Sequence, residues 1–108
     1  MQKGFIMSDE RFNIGSMGVG KKFDTGKLRY DLVPIEALEG LAKVLTYGAE
    51  KYDPNNWQHV ESDRYVAALF RHIMAWRKGE ANDPESGHHH LEHALANVAF
   101  LLYKDLND

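Results

Sequence analysis

The stretch His88-His89-His90-Leu91-Glu92-His93-Ala94-Leu95-Ala96-Asn97-Val98-Ala99-Phe100-Leu101-Leu102-Tyr103-Lys104-Asp105-Leu106 decides the fold. Leu91, Ala94, Leu95, Val98, Leu101 and Leu102 recur every three or four residues, the spacing of one face of an amphipathic helix. At about 100° per residue, His90, His93 and Asn97 fall in one narrow arc that borders this apolar stripe. A helix over about His88 to Leu106 would therefore carry a core face with polar groups at its edge. The run His88-His89-His90 is internal and short, unlike a purification tag.

Working outward, Asn82 to Gly87 contains Pro84 and Gly87 and reads as a turn. Ahead of it, Tyr65, Val66, Leu69, Phe70, Ile73, Met74 and Trp76 form a second helical stripe. Ser62 or Asp63 would cap that helix and Gly79 would end it. Asp53-Pro54-Asn55-Asn56 is again turn chemistry. Before it, Ile35, Leu38, Leu41, Ala42, Leu45 and Ala49 mark a third stripe, which Pro34 is suited to open. No stretch alternates with a period of two. Lys22 to Val33 reads as a short extended segment, since Phe23, Leu28 and Tyr30 are irregularly spaced. The expected class is all-α: a small helical bundle of three main amphipathic helices with a short N-terminal extended segment.

The chain has 108 residues, enough for one domain. The first twenty hold four of the nine glycines and three of the four methionines. They predict a flexible arm over residues 1–21, followed by a single helical domain over 22–108. Gly15, Gly20 and Lys21 have the spacing of a phosphate-binding P-loop. Lys22 stands where Ser or Thr would hold magnesium, and no strand precedes the motif, so we reject it. The net charge of −3 argues against a duplex nucleic-acid surface. With no cysteine, disulfides and thiolate chemistry are excluded. No apolar run approaches the roughly 20 residues of a membrane span, and no leader is visible, so the expected location is cytoplasmic.

The polar groups beside the stripes suggest a metal. His72 flanks the second stripe as His90 and His93 flank the last, and helical bundles build metal sites from such facing positions. The ordinary alternative is boundary histidines with satisfied ring nitrogens. Glu36 and Glu39, one turn apart, suit a hard cation with phosphate oxygens in its shell. Glu50 and Asp53 repeat that spacing, and so do Glu80 and Asp83. A solvated face explains the first-helix carboxylates equally well, because Glu39 and Lys43 make an ordinary i, i+4 pair. Glu39 and Glu50 would lie about 16 Å apart on a continuous helix. They cannot share an ion unless the helix breaks near Gly48 or a second subunit contributes. Lys27, Arg29, Lys51 and Arg71 are candidates to bind phosphate. Tyr52 and Trp57 could stack on a base, and Asn56 or Asn97 could contact the substrate.

Lys22-Phe-Asp-Thr-Gly-Lys-Leu-Arg-Tyr-Asp-Leu-Val-Pro34 resembles the opening of the phage and bacterial dATP/dGTP diphosphohydrolases. So do Tyr47-Gly-Ala-Glu-Lys-Tyr52, Asn56-Trp57, Arg71-His72, Gly79-Glu80, Asp83-Pro-Glu-Ser-Gly87 and His90-Leu-Glu-His93-Ala-Leu-Ala-Asn97. The likeness runs from about Lys22 to Leu102. The family includes MazZ-type enzymes of phages that replace adenine with 2-aminoadenine, and it is similar to the all-α MazG nucleotide pyrophosphohydrolases. The resemblance implies hydrolysis of a purine deoxynucleoside triphosphate to dNMP and pyrophosphate, with Mg2+, Mn2+ or Co2+ as cofactor. Small all-helical chains commonly assemble, so a homo-oligomer, dimer or tetramer, is expected, in the host cytoplasm if phage-encoded. Glu36 and Glu39 stand for the paired carboxylates of MazG. The later Glu-x-x-Asp of that family is replaced here by His90, His93 and Asn97.

The expected metal ligands are therefore Glu36, Glu39, His72, Asp83, His90 and His93, with Glu50 and Asp53 in reserve. Glu39 or Glu80 would act as general base. Two rivals stand beside this reading. One is an HD-type phosphohydrolase that releases triphosphate or phosphate. The other is a helical binding module without turnover.

Overall fold

A computed structural model describes residues 20–108. By contact the chain divides into two units, Met1–Tyr30 and Asp31–Asp108. The arm expected over residues 1–21 lies outside the described residues, save its last two, as does most of the rejected P-loop.

In the first unit, residues 20–30 carry a turn in which the Lys27 N–H donates to the Asp24 carbonyl at 3.0 Å, with Gly26 at φ 81°. The extended segment expected over Lys22 to Val33 is thus a turn followed by a 3-10 turn at Tyr30–Leu32. The local Asp-Thr-Gly sequence is the reason, since Gly takes a positive φ at no steric cost.

The second unit contains three helices: α1, Ile35–Lys51; α2, Ser62–Arg77; and α3, His90–Asn107. A 3-10 turn, Asn56–His59, joins the first two. There is no strand among the described residues, only an isolated bridge between Asn82 and His89. The all-α expectation holds.

Helix ends differ from expectation in instructive ways. Pro34 sits at the N-cap of α1 with ψ 132°, outside the helix rather than in its first turn. Glu61 occupies the cap position of α2, with no side-chain cap bond from it, so neither Ser62 nor Asp63 caps that helix. Gly79, at φ 106°, terminates the turn after α2 as expected. The N-cap of α3 is His89, two residues later than the periodicity suggested. The Leu91 N–H donates to His89 Nδ1 at 3.0 Å, while the His89 N–H donates to Glu92 Oε1 at 3.1 Å. This reciprocal cap satisfies donors that a helix start leaves unpaired.

Helix α3 packs against both α1 and α2, whereas any contact between α1 and α2 is slight. The α1–α3 crossing depends on Gly40. A Cβ there would meet Glu92 Cγ at 2.7 Å. Glu92 lies over this gap and pairs with Lys43 Nζ at 3.4 Å. Trp57 anchors the inter-helix turn to α3. Its ring stacks on Phe100 at 5.0 Å and meets Tyr103 edge-on at 4.8 Å. The Tyr65 hydroxyl donates to the Trp57 carbonyl at 2.8 Å. The described hydrophobic residues that are buried are small: Val44, Ala94 and Ala96. Large ones stay exposed, including Ile35 and Leu38 on α1, Phe70 and Met74 on α2, and Leu102 and Leu106 on α3.

Candidate metal centre

Polar side chains are buried at the first turns of α3: His90, His93 and Asn97. The arc read from their spacing therefore faces inward. His72 approaches from α2, and its ring stacks on that of His93 at 4.5 Å and 6°. Asp83 comes from the loop between α2 and α3. One ligand atom each from His72, Asp83 and His93 lies within 4.8 Å of the others.

The loop sequence explains how Asp83 is held. Its N–H donates to the His88 carbonyl at 2.8 Å, and its carbonyl accepts from Gly87 N–H at 2.7 Å. Its Oδ1 accepts from the Glu85 N–H at 3.1 Å. This is the turn chemistry of Asp followed by Pro and a Gly at positive φ. With Oδ1 engaged in the loop, Oδ2 faces His93 Nε2 at 3.5 Å. Asp83 is thus both the turn residue and the carboxylate of the cluster.

Ser86 shares that nitrogen. Its Oγ lies 2.6 Å from His93 Nε2 and accepts from the His88 N–H at 3.1 Å. Behind the cluster, His72 Nδ1 and His90 Nδ1 are 2.9 Å apart, and His90 Nε2 is 2.7 Å from Glu80 Oε1. Both ring nitrogens of His90 are therefore engaged. Asn97, one turn further along α3, donates from Nδ2 to the His93 carbonyl at 2.9 Å.

Tyr47 braces the loop from α1. It meets His88 and His93 edge-on at 5.9 and 6.3 Å. Its hydroxyl donates to Glu85 Oε2 at 2.7 Å, and the Lys51 ammonium pairs with the same carboxylate. That shared hydrogen bonding holds the Glu85 carboxyl below its usual range and raises Tyr47 and Lys51.

Burial pushes His72 down to about 4, aided by the neighbouring His93 and opposed by Asp83. Burial also lowers His93, again opposed by Asp83. Both shifts favour the neutral ring, the state in which imidazole offers a lone pair to a metal. Two neutral imidazoles and a carboxylate form a donor set suited to a transition-metal dication.

The remaining expected residues fall in other places. Glu36 and Glu39 are exposed on α1 and outside the three-residue cluster. Helix α1 runs unbroken to Lys51, so the break at Gly48 that could bring Glu39 to Glu50 is absent. Asp53 lies beyond the end of α1. Glu39 and Glu50 instead line a groove of about 600 Å3 with Lys43, Tyr47, Ser86 and His88. The groove shares Ser86 with His93, so it adjoins the cluster. Arg71 is exposed next to His72 on α2, and Asn56 is half-buried in the turn before it. Trp57, expected to stack on a base, has its ring packed on Phe100 instead. Lys27 and Arg29 belong to the first unit.

Spacing alone does not single out Tyr47, Glu85 or Ser86. They lie within the quoted Tyr47–Tyr52 and Asp83–Gly87 stretches, which is the available signal.

An all-α bundle with a part-buried His-Asp-His cluster beside an open groove defines a metal-competent helical domain. The chain belongs to the family described as dATP/dGTP diphosphohydrolase, N-terminal, whose model matches residues 17–108. It is 36% identical over 84 residues to the dATP/dGTP diphosphohydrolase of Salmonella phage PMBT28. That match covers 78% of this chain and 29% of the phage protein, so the chain spans well under half the length of this relative. No solved structure matches it. No described helix is long and apolar enough to cross a membrane.

Proposed function

We propose that this chain is a metal-dependent hydrolase of purine deoxynucleoside triphosphates, cutting between the α- and β-phosphates of dATP and dGTP. The observation that carries this reading is the His72–Asp83–His93 cluster beside the groove, in a chain of the dATP/dGTP diphosphohydrolase family. His72, Asp83 and His93 would hold the ion, and their nitrogen-rich set favours Mn2+ or Co2+ over Mg2+. A divalent ion there supplies Lewis acidity at the α-phosphate and a water of lowered pKa. The groove volume suits a small-molecule ligand.

In the reaction, water oxygen bonds to the α-phosphorus as the α–β P–O bond breaks, and pyrophosphate leaves with the electron pair. Glu39 lines the groove and takes the water proton as general base. Glu36 stands one turn away, where a second ion bound with phosphate oxygens would engage it. Arg71 and Lys51 neutralise the triphosphate. In a phage the reaction would drain dATP and supply dGMP for the modified base. We assign residues 22–108 to one helical catalytic domain, working in the cytoplasm without duplex nucleic acid as partner.

The exposed apolar side chains of all three helices also support a homo-oligomer, dimer or tetramer, in which a second copy covers them.

The test is to incubate the protein with each dNTP and Mn2+, Co2+ or Mg2+ and resolve the products by anion exchange. Release of dAMP or dGMP with pyrophosphate is expected. Release of triphosphate or inorganic phosphate would replace the α–β cut with an HD-type reaction. No turnover under any metal would leave a binding module.

A further inference from the structure

We propose that Glu80 is a positioning residue for the metal centre: acting through His90, it fixes the tautomer of His72 that leaves the His72 Nε2 lone pair for the ion. This rests on the metal reading of His72, Asp83 and His93.

The argument is a count of protons along a chain of three side chains. Glu80 Oε1 lies 2.7 Å from His90 Nε2. An ionised carboxylate accepts and cannot donate, so the proton of that bond sits on His90 Nε2. A neutral imidazole carries one N–H, so His90 Nδ1 is then bare and can only accept. His90 Nδ1 is 2.9 Å from His72 Nδ1, and two facing nitrogens need one donor between them. The donor is therefore His72 Nδ1–H, and the free lone pair of His72 is on Nε2. Among the described residues, Glu80 is the group bonded to His90 Nε2, and it chooses between the two directions of the N–H···N bond.

Burial makes the choice matter. His90 is 4% exposed, so water does not offer its nitrogens alternative partners. His93 has no such relay, since its Nε2 meets the Ser86 hydroxyl, which can donate or accept. Glu80 itself is half-exposed on the loop that carries Asp83, so one loop supplies a ligand and the group that orients another. Carboxylate partners of metal-binding histidines fix the tautomer of the ring they touch, and Glu80 acts one ring further out, through His90. Such a role places Glu80 and His90 behind the ion rather than on it.

The test uses 15N-labelled, metal-free protein at one pH near 8. Long-range 1H–15N correlation spectra report which ring nitrogen of each histidine carries the proton. We expect Nε2–H for His90 and Nδ1–H for His72. On addition of Zn2+ alone, His72 Nε2 should shift as a ligand and His90 Nδ1 should not. Glu80→Ala should mix the tautomers of both rings and weaken Zn2+ binding about twofold by titration calorimetry, since an even mixture leaves about half the protein competent. Glu80→Gln keeps an acceptor oxygen and should restore most of both. Reversed tautomers in the parent protein, including a doubly protonated His90, would overturn the proposal. So would direct ligation by His90 Nδ1, or a Glu80→Ala protein that matches the parent in tautomer and affinity. A parent protein with the expected tautomers but no metal binding would overturn the proposal at its premise, the metal reading, and would identify that premise as the fault.

Discussion

Helix α3 can present His90 and His93 only if its first turn is held against α1, and that contact can be perturbed at one atom. Gly40→Ala adds a Cβ that would stand 2.7 Å from Glu92 Cγ and 3.0 Å from Glu92 Oε2. The substitution should gain about 1 kcal/mol of helix propensity, as at any interior helical glycine. Against that, a contact inside van der Waals distance costs about 1–3 kcal/mol. Moving Glu92 aside also breaks its bond to the His89 N–H, worth about 1 kcal/mol as a helix cap. The net is a loss of about 1–3 kcal/mol.

Gly48→Ala is the control, because its Cβ meets nothing within 4 Å on the same helix. It should gain about 1 kcal/mol. For a domain of this size each kcal/mol moves the midpoint by roughly 4–8 °C. Thermal unfolding followed by circular dichroism should place Gly40→Ala below the parent and Gly48→Ala above it. Adding Glu92→Ala to Gly40→Ala removes the clash, so the double variant should be no less stable than Glu92→Ala alone. Equal stabilisation by both alanines would refute the close α1–α3 approach, and with it the argument that Glu92 sets the start of α3.

Three other expectations bear on the site and the surface. Asp83→Asn keeps the acceptor that binds the Glu85 N–H but loses the only carboxylate of the cluster. It should retain the helical spectrum while losing at least about 100-fold in turnover and most divalent-ion affinity, measured by product assay and calorimetry. Acid should destabilise the metal-free protein. His72 takes a proton near 6.5 when unfolded but only near 4 when folded, so the unfolded chain binds more protons between those values. The contribution is complete above pH 6.5 and is lost as pH falls towards 4. It amounts to at most ~3 kcal/mol, or about half that once water screening of a part-exposed ring is allowed for. Urea unfolding at several pH values should show that slope, and His72→Gln should reduce it, leaving the share of His93, which burial also lowers. Phe70→Arg, on the exposed face of α2, should lower the molar mass seen by light scattering if a second copy covers that face. An unchanged mass would mean that Phe70 faces solvent.

The sequence alone determined the three helices, because their apolar residues recur at helical spacing. It placed His90, His93 and Asn97 in one arc beside the apolar stripe, and the structure buries those three while Leu91, Val98 and Leu102 of the stripe stay exposed. Its reading of ends was weaker. Caps depend on which side chain reaches a backbone N–H, and His89 does so at α3 although histidine is not a usual cap. Local spacing made Glu36–Glu39 and Glu50–Asp53 look alike as cation sites, yet it says nothing of what lies opposite them. Tertiary structure alone decided that His72 from α2, Asp83 from a loop and His93 from α3 converge within 4.8 Å. It also decided that Trp57 packs on Phe100, and that Glu80 and His90 stand behind His72. Periodicity reports the direction of a side chain about its own helix axis. The meeting of groups from different elements is set by how those helices cross, and here that crossing turns on a missing methyl at Gly40 and the side chain of Glu92 laid over it.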